Sequence, residues 1–313
     1  MEISYGMERS VIMKKDFLLL SNYSKEELLS LLALAAELKE MKHNREPHPL
    51  LEGKTLGMIF EKPSTRTRVS FEVGMYDLGG SALFLSGNDL QLGRGEPVED
   101  TARVLSRYLD GIIIRTFSQE MVDTLAKWSS IPVINALTDF SHPCQIIADL
   151  LTIQEHRGPL EGKTICYIGD GNNVANSLIV GCIKTGMKVR IACPADYQPD
   201  AGIMAWAKSV GDFECADSVL GMAAGADVLY TDVWASMGQE AEAEARKVAF
   251  AGYQINQSVL DAAAPNAMVL HDLPAHKGEE ITYDIFETHA NTIFDQAENR
   301  MHAHKAIMVH LMR

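Results

Sequence analysis

Five consecutive Ser, Thr and Arg residues, Ser64 to Arg68, lie in the stretch FEKPSTRTRVSFE. The apolar run TLGMIF before them predicts a strand, and the residues from about Thr65 predict a helix. The first turn of a helix has unpaired backbone N–H groups and partial positive charge, which suit an anion. Hydroxyl groups and two guanidiniums would add donors for phosphate oxygens. The stretch therefore predicts a phosphate site with both guanidiniums pointing into it, and the alternative is a capped helix start with solvated arginines.

Two further strand ends carry side chains that suit a carbonyl group. Arg115 closes the run GIIIRTF, and His142 and Gln145 stand in SHPCQ after the run IPVINAL. Open α/β sheets place ligand-contacting groups at the carboxyl ends of their strands, where these three donors would meet. Pro143 suits the first position of the helix that His142 opens. A lone histidine is more often structural, and that alternative would hold for His142 without the neighbouring motifs.

Apolar runs of strand length alternate with segments of helical period along the whole chain. The first half contains TLGMIF, SALFLS, GIIIRTF and IPVINAL, and the second half repeats the rhythm from KTICYIG to AMVLHD. This alternation is typical of the α/β class. We predict two domains, each a mainly parallel sheet flanked by helices, which meet in the helix that begins near His142.

Two glycine-containing stretches resemble nucleotide motifs without satisfying them. GPLEGKT has three residues between Gly158 and Gly162 where a P-loop has four, and it precedes a strand instead of following one. IGDGNNVANS places Val174 where the third glycine of a dinucleotide fingerprint belongs. The P-loop interpretation is therefore rejected, and a nicotinamide site is weakly supported. The second turn remains able to hold a ligand.

Bulk properties exclude several classes of protein. The 313 residues carry a formal charge of -14, which argues against a nucleic-acid-binding protein. There is no apolar run long enough to span a membrane, and the first residues lack the features of a signal peptide. Five cysteines without a CxxC pair suit a reducing compartment. We expect a cytoplasmic protein with no membrane partner.

Five motifs, in this order and at these separations, closely resemble those of the transcarbamylase family, and within it the branch that uses ornithine. They are FEKPSTRTR, SHPCQ, GDGNN, DVWASMG and LPAHKGEE, and the resemblance extends from about Phe17 to the final helix. STRTR and HPxQ mark the family in general, and DxxxSMG marks the ornithine branch. The resemblance implies carbamoyl transfer from carbamoyl phosphate to the δ-amine of L-ornithine. It also implies a cleft between the two domains and a homotrimer or a multiple of trimers.

The resemblance assigns roles to the matching residues. Carbamoyl phosphate would be held by Ser64, Thr65, Arg66, Thr67, Arg115, His142, Gln145, Leu273 and Arg300, with Gln91 reaching in from a neighbouring subunit. Ornithine would be held by Asn173, Asp232, Ser236 and Met237. The carbamoyl-phosphate domain would span residues 1–145 and be joined by the C-terminal helix, about 291–313, and residues 146–290 would form the ornithine domain.

The reaction implied by the resemblance needs an uncharged amine and a stabilised tetrahedral oxyanion. Arg115 and His142 suit the oxyanion because they are donors fixed where negative charge develops. We expect no metal and no organic cofactor, since neither step requires one and the sequence has no HExxH or clustered Cys/His set. His302 and His304, two residues apart on a predicted helix, should point to different faces and lie at the surface.

The chain departs from the family pattern at one catalytic candidate. The family reads His-Cys-Leu-Pro where this chain has His271, Asp272, Leu273 and Pro274. In the family the thiol lies beside the δ-amine, so the carboxylate of Asp272 would favour the charged amine and oppose attack. The same carboxylate could instead act as a general base if burial and Asp232 raise its pKa. Three alternatives stay open. They are a tolerated substitution, another amine such as putrescine or an acylated ornithine, and a binding paralogue without useful turnover.

Overall fold

A four-stranded parallel sheet forms the first half of the chain. The computed structural model describes residues 14–87, 89–91, 95–235 and 240–313. The strands of the first sheet are β1 (Thr55–Phe60), β2 (Ser81–Ser86), β3 (Gly111–Arg115) and β4 (Val133–Leu137), in the order β2-β1-β3-β4. The helices of this half are α1 (Lys25–His43), α2 (Thr65–Asp77), α3 (Val98–Leu105), α4 (Gln119–Trp128) and α5 (Pro143–Arg157). β3 and β4 are buried throughout, whereas the edge strand β2 exposes Leu83 and Phe84.

A five-stranded parallel sheet forms the second half, with the strand order β7-β6-β5-β8-β9. Its strands are β5 (Thr164–Ile168), β6 (Lys188–Ala192), β7 (Phe213–Ala216), β8 (Val228–Thr231) and β9 (Met268–His271). The accompanying helices are α6 (Asn173–Lys184), α7 (Ala201–Val210), α8 (Val219–Ala223), α9 (Ala243–Ala249), α10 (Gln257–Ala262), α11 (Tyr283–Thr288) and α12 (Ala290–Met312). The central strand β5 is wholly buried, as expected for a parallel sheet covered by helices.

Two helices connect the halves. α5 leads from β4 toward β5, and the last helix, α12, returns to the first half and packs against α5, α1 and α2. One continuous cluster of buried apolar side chains includes Leu28 of α1, Ile147 of α5, Tyr167 of β5 and Ile307 of α12. Burial of this apolar surface fixes the two sheets relative to each other. The domain boundaries at residues 145 and 290 stay a prediction.

Each sheet has a point at which the strand order reverses. In the first sheet β1 lies beside both β2 and β3, and in the second β5 lies beside both β6 and β8. Such switch points open a crevice at the carboxyl ends of parallel strands. The stretches STRTR and SHPCQ follow β1 and β4, GDGNN follows β5, and Asp232 and Asp272 follow β8 and β9. Topology therefore brings motifs from both halves of the chain to one cleft.

The predicted fold class is confirmed. The apolar runs TLGMIF and SALFLS are β1 and β2 in full, and the helix predicted from about Thr65 begins at that residue. Within the described ranges, no helix combines the length and apolar character needed to cross a bilayer.

Candidate active site

The turn between β1 and α2 forms one end of the cleft. Ser64 is the N-cap of α2, and its hydroxyl accepts the backbone N–H of Thr67 at 3.2 Å. This cap fixes the first turn of the helix, whose free N–H groups carry partial positive charge. Ser64, Thr65 and Arg66 line the cleft, and Nε of Arg66 is buried without a hydrogen-bond partner. The helix start therefore offers hydroxyl, backbone and guanidinium donors to one anion.

Thr67 belongs to the same turn but is fully buried beneath the cleft wall. Its Oγ1 accepts hydrogen bonds from Oγ of Ser64 at 3.0 Å and from Nη2 of Arg300 at 2.6 Å. Arg300 lies on α12 and lines the cleft, with its Nε buried and unpaired. The hydrogen bond from Arg300 thus connects the last helix to the start of α2. Thr67 places a second guanidinium beside that of Arg66.

Arg68 is directed away from the cleft. Its Nε donates to Oε1 of Glu72 at 3.1 Å, and its guanidinium lies 3.8 Å from the centroid of the Phe84 ring. The prediction that both guanidiniums of STRTR point into the phosphate site is therefore wrong for Arg68. An i,i+4 ion pair and an aromatic face hold its side chain on the outer surface of α2.

Arg115 and His142 extend the cleft wall from β3 and β4. Arg115 is the last residue of β3, and His142 is the N-cap of α5, with Pro143 at the first helical position. The backbone N–H of His142 donates to Oγ of Ser177 at 2.8 Å, so the second domain also holds this turn in place. Nε of Arg115 and Nδ1 of His142 are buried without partners. Both side chains therefore keep unused hydrogen-bonding capacity at the cleft.

Burial and neighbouring cations change the titration of these groups. Burial, followed by the positive charge of Arg300, lowers the pKa of Arg115 to about 9. Burial, followed by Arg300 and Arg115, lowers the pKa of His142 well below its ordinary value. Near pH 7 the imidazole of His142 is therefore neutral, with one ring nitrogen carrying a proton, while Arg115 remains charged.

Gln145 does not line the cleft in this structure. It is fully buried, and its Nε2 donates to Oδ1 of Asp149 at 2.8 Å. Asp149 also accepts hydrogen bonds from Nε2 of Gln296 at 2.7 Å and from the hydroxyl of Tyr230 at 3.0 Å. Burial nevertheless raises the pKa of Asp149 to about 7, against the lowering effect of these donors. This polar network joins α5, β8 and α12, three elements that carry or precede cleft residues.

The opposite wall comes from the second domain. Asn172 caps α6 and donates from Nδ2 to Oδ2 of Asp232 at 2.9 Å. Asn173 begins α6, lines the cleft, and donates from Nδ2 to the backbone oxygen of Thr138 at 2.6 Å. Oδ1 of Asp232 accepts the backbone N–H of Val233 at 2.7 Å. The carboxylate of Asp232 is thus oriented by two donors at the mouth of β8.

Asp272 follows β9 on the same wall. Its Oδ1 is buried without a hydrogen-bond partner and lies 3.8 Å from Nδ1 of His271. Burial, and then the neighbouring carboxylate of Asp232, raise the pKa of Asp272 well above its ordinary value. The charge of Arg300 opposes this effect but is a smaller influence. The site therefore favours a protonated Asp272 more than water does.

The backbone after Asp272 is held in an uncommon conformation. Leu273 has a φ of 62°, in the left-handed region that non-glycine residues rarely adopt. Its N–H donates to Nδ1 of His271 at 2.9 Å, and Nε2 of His271 contacts Oε1 of the buried Glu280 at 2.9 Å. Nδ1 is therefore the acceptor of the ring and Nε2 carries the proton. Glu280 and His271 together hold Leu273 at the cleft.

The cleft between these walls has a volume of about 950 Å³. Unpaired buried polar atoms of Arg66, Arg115, His142, Arg300 and Asp272 belong to residues that line it. The wall from the first domain and α12 is cationic, and the wall at the ends of β8 and β9 is acidic. Buried polar atoms without partners are costly, so their concentration here indicates a polar ligand. An anion bearing a carbonyl could meet an amine across such a cleft.

Comparison with known proteins decides the family. Residues 15–155 match the model described as "Aspartate/ornithine carbamoyltransferase, carbamoyl-P binding domain", and residues 161–311 match the "Asp/Orn binding domain" of the same family. The chain belongs to the aspartate/ornithine carbamoyltransferase family. An ornithine carbamoyltransferase of Syntrophotalea carbinolica is 57% identical over 301 residues, which cover 96% of this chain and all of that protein.

Solved structures of other members of this carbamoyltransferase family have the same fold. The ornithine carbamoyltransferase from Pyrococcus furiosus superposes with a TM-score of 0.91 at 50% identity, covering 96% of this chain and 97% of that one. The anabolic enzyme from Campylobacter jejuni superposes with a TM-score of 0.89 at 41% identity, covering 95% and 98%. The resemblance inferred from the motifs is thereby confirmed for the family.

The structure gathers most of the residues that the family resemblance singled out. Those that line the cleft are Ser64, Thr65, Arg66, Arg115, His142, Asn173, Asp232, Asp272, Leu273 and Arg300. Thr67 and Gln145 lie buried behind it, and Gln91 is exposed and outside it. Ser236 and Met237 lie outside the described residues.

The sequence analysis did not predict two ion pairs at the cleft. Buried Lys62 bonds Asp139, and its ammonium lies 4.4 Å from the centroid of the Phe117 ring. Arg246 and Asp170 form a buried pair at 2.7 Å. Lys62 stands in the stretch FEKPSTRTR and Asp170 in GDGNN, so both had a local signal. Arg246 had none, because only the fold brings α9 to the turn after β5.

The prediction that His302 and His304 lie at the surface is wrong, because both are fully buried in α12. The ring of His304 stacks on Phe71, with centroids 3.8 Å apart, and its Nδ1 lies 2.9 Å from Oγ of Ser70. His302 contacts Glu298 at 3.2 Å. α12 packs between other helices, so residues on several of its faces are covered.

Proposed function

We propose that the chain transfers the carbamoyl group of carbamoyl phosphate to the δ-amine of L-ornithine, giving L-citrulline and phosphate. The division of charge across the cleft carries this proposal: three guanidiniums lie on one wall, and Asp232 and Asp272 on the other. Guanidiniums suit a phosphate anion, and carboxylates suit the ammonium groups of a diamino acid. Relatives that are 50–57% identical over nearly the whole chain are named ornithine carbamoyltransferase, which supports the same reaction.

Carbamoyl phosphate would occupy the wall formed by the first domain and α12. Ser64, Thr65 and Arg66 would bind phosphate oxygens at the start of α2, and Arg300 would add a second guanidinium. Thr67 would act through Arg300, because its hydroxyl accepts the hydrogen bond that orients that side chain. Gln145 lies behind this wall, and its Oε1, which is buried and unpaired, would accept a hydrogen bond from the carbamoyl end after the side chain turns toward the cleft.

Attack by the uncharged δ-amine would form a nitrogen–carbon bond to the carbamoyl carbon and place negative charge on its oxygen. Arg115 and neutral His142 are the donors for that oxyanion, because both are fixed and keep unpaired nitrogens at the cleft. The carbon–oxygen bond to phosphate would then break, with the electron pair leaving on phosphate. The amine nitrogen would pass its extra proton to the departing phosphate, and the guanidiniums would neutralise the charge that remains on it.

Ornithine would lie along the acidic wall. Asp232 would accept hydrogen bonds from the α-ammonium group, since Asn172 and the backbone of Val233 already fix its carboxylate. Asn173 would contact the α-carboxylate, together with Ser236 and Met237 of the DVWASMG stretch. Leu273 would present its backbone oxygen to the carbamoyl side, in the conformation that His271 maintains.

Asp272 would stand beside the δ-amine, where the family pattern has cysteine. A protonated Asp272 adds no charge at this position and so does not oppose loss of the ammonium proton. The burial that raises the pKa of Asp272 therefore reduces the conflict expected from the sequence. We propose that Asp272 is a working substitution in an ornithine-using enzyme.

The test is citrulline formation from carbamoyl phosphate and ornithine across pH 6 to 10, with putrescine and N-acetylornithine in parallel. Asp272→Cys and Asp272→Asn are the matched variants, since one restores the family residue and the other keeps a neutral side chain of similar shape. Turnover by the native chain with ornithine would support the proposal. A native chain that is inactive with ornithine refutes it, and activity with putrescine or N-acetylornithine would identify another amine.

We also propose a cytoplasmic homotrimer, or a multiple of trimers. Val69 and Tyr76 of α2 and Leu83 and Phe84 of β2 are exposed large apolar side chains on neighbouring elements, which is typical of an interaction surface. Gln91 is exposed outside its own cleft, which is compatible with a contact to another subunit. The cysteines are free thiols, as in a reducing compartment.

Light scattering coupled to size-exclusion chromatography would measure the mass of the assembly against the 34.5 kDa chain. Leu83→Glu should dissociate the trimer, because it places a charge in an apolar contact. Val210→Glu is the matched control on an exposed apolar residue of the second domain. A native mass of one chain would contradict the trimer.

A further inference from the structure

Three possible metal ligands converge on a side of the first domain that does not line the cleft. His43 is the last residue of α1, while Glu298 and His302 are four residues apart on α12. Residues at this spacing lie on one face of a helix. The Nε2 atoms of both histidines approach the same oxygen, Oε1 of Glu298, at 2.8 Å from His43 and 3.2 Å from His302.

The distances among these atoms suit a small cation. All three ligand atoms lie within 4.8 Å of one another. A tetrahedral ion with bonds of about 2.1 Å would separate its ligand atoms by about 3.4 Å. The two nitrogen–oxygen distances, 2.8 and 3.2 Å, are shorter than this value, so rotations of the partly exposed His43 and Glu298 side chains would admit the ion. The imidazole rings are nearly perpendicular, at 85°, with centroids 6.1 Å apart.

The surroundings leave Glu298 available to the two imidazoles. Lys39, on the preceding part of α1, forms hydrogen bonds with Glu155 at 2.9 Å and with Oδ1 of Asn299 at 2.9 Å. Its ammonium is thus already paired with other acceptors. The side chain of His302 is fully buried, whereas that of His43 is 57% exposed. One ligand is held rigidly by packing, and the opposite side of the site is open to water.

We propose that His43, Glu298 and His302 form a binding site for a divalent transition-metal cation of the Zn²⁺ type. Two imidazoles and one carboxylate are a ligand set that Zn²⁺ accepts with water in a fourth position. Mg²⁺ and Ca²⁺ select oxygen ligands and do not suit it. Local sequence motifs do not indicate this site, because His43 and Glu298 are 255 residues apart.

The expected consequence of binding is a more stable fold. An ion bound here joins the end of α1 to α12, the helix that also carries Arg300 into the cleft. A ligand that binds the folded chain alone stabilises it by mass action. Zn²⁺ should therefore raise the unfolding temperature without requiring either substrate, and its effect should be independent of the reaction proposed above.

The test uses the full chain, freed of metal with a chelator, and measures Zn²⁺ binding by calorimetry and unfolding temperature with and without Zn²⁺. His43→Asn and Glu298→Gln each remove one ligand from a partly exposed position, so both variants should fold. His156→Asn is the matched control, because His156 contacts Asp295 of α12 at 2.8 Å but is not one of the three proposed ligands. Mg²⁺ serves as the control cation.

We expect one bound Zn²⁺ to be lost, or its affinity to fall by at least about tenfold, in His43→Asn and Glu298→Gln. The Zn²⁺-dependent rise in unfolding temperature should disappear in the same variants and persist in His156→Asn. Binding of Zn²⁺ to acidic groups of the cleft would persist in all three variants. This result would distinguish binding at the cleft from binding at His43, Glu298 and His302. Overturning results are an absence of Zn²⁺ binding to the native chain, or unchanged binding and stabilisation in both ligand variants.

Discussion

Replacing Asp149 by asparagine tests whether burial or hydrogen bonding controls the network behind the cleft. Three donors point at this carboxylate and favour its charged form, yet burial raises its pKa from 3.8 to about 7. The folded chain then binds a proton more tightly than the unfolded chain does. Between these two pKa values the folded state carries more protons, so this group makes the fold less stable as pH rises.

The magnitude follows from the pKa values. A rise from 3.8 to about 7 corresponds to about 4 kcal/mol when the pH lies well above both values. Between pH 5 and pH 9 the native chain should lose about 3 kcal/mol through Asp149 alone. Asp149→Asn cannot titrate and lacks this loss. Its amide can still accept from Gln145 and Gln296, and can donate to the hydroxyl of Tyr230.

The assay is urea unfolding of Asp149→Asn and the native chain at matched concentration, from pH 5 to pH 9. The free energy of unfolding of Asp149→Asn, measured relative to that of the native chain, should increase by about 3 kcal/mol between pH 5 and pH 9. Asp261→Asn, at an exposed position on α10, is the control for charge removal. A difference that stays constant with pH would show that Asp149 is ionised throughout and that its three donors outweigh burial.

Three substitutions at the cleft test the proposed division between the two substrates. Arg66→Ala should raise KM for carbamoyl phosphate roughly 10–100-fold, which corresponds to the loss of one hydrogen bond to a charged group. The unfolding midpoint of this variant should not change. Asp232→Asn should raise KM for ornithine and leave that for carbamoyl phosphate nearly unchanged, as steady-state kinetics with each substrate varied would show. Arg300→Lys should lower kcat/KM for carbamoyl phosphate, because an ammonium cannot reproduce the fork that bonds Thr67 while facing the cleft. Equal effects on both substrates would contradict these assignments.

Local patterns were sufficient to predict the fold class and the phosphate site at the start of α2. The strands β1 and β2 are continuous apolar runs, and Ser64 is a strong N-cap residue in front of a helical segment. Both are properties of a few adjacent residues. Arg115 and His142 could be placed at the same sheet edge because parallel strands share the direction of their carboxyl ends.

Features that depend on distant contacts could not be predicted in this way. Arg68 belongs to the motif but is held outside by Phe84, a residue of the next strand. Gln145 was placed at the cleft, yet Asp149 binds its amide one turn along the same helix. His302 and His304 were assigned to the surface because their spacing puts them on different faces. Only the position of α12 between other helices explains why both faces are buried.

Asp272 shows how the fold changes the meaning of a substitution. From the sequence, an acid in place of the family cysteine suggests a second negative charge beside Asp232. In the folded chain that same proximity, together with burial, raises the pKa of Asp272 and so favours its neutral form. A thiol with an ordinary pKa and a protonated carboxyl are both uncharged, and both can donate a hydrogen bond. After burial, the carboxylate of Asp232 is the next cause of the raised pKa of Asp272, so a change at Asp232 should also alter the protonation of Asp272. The acidic wall thus contains two acids, of which Asp272 is shifted toward its neutral form.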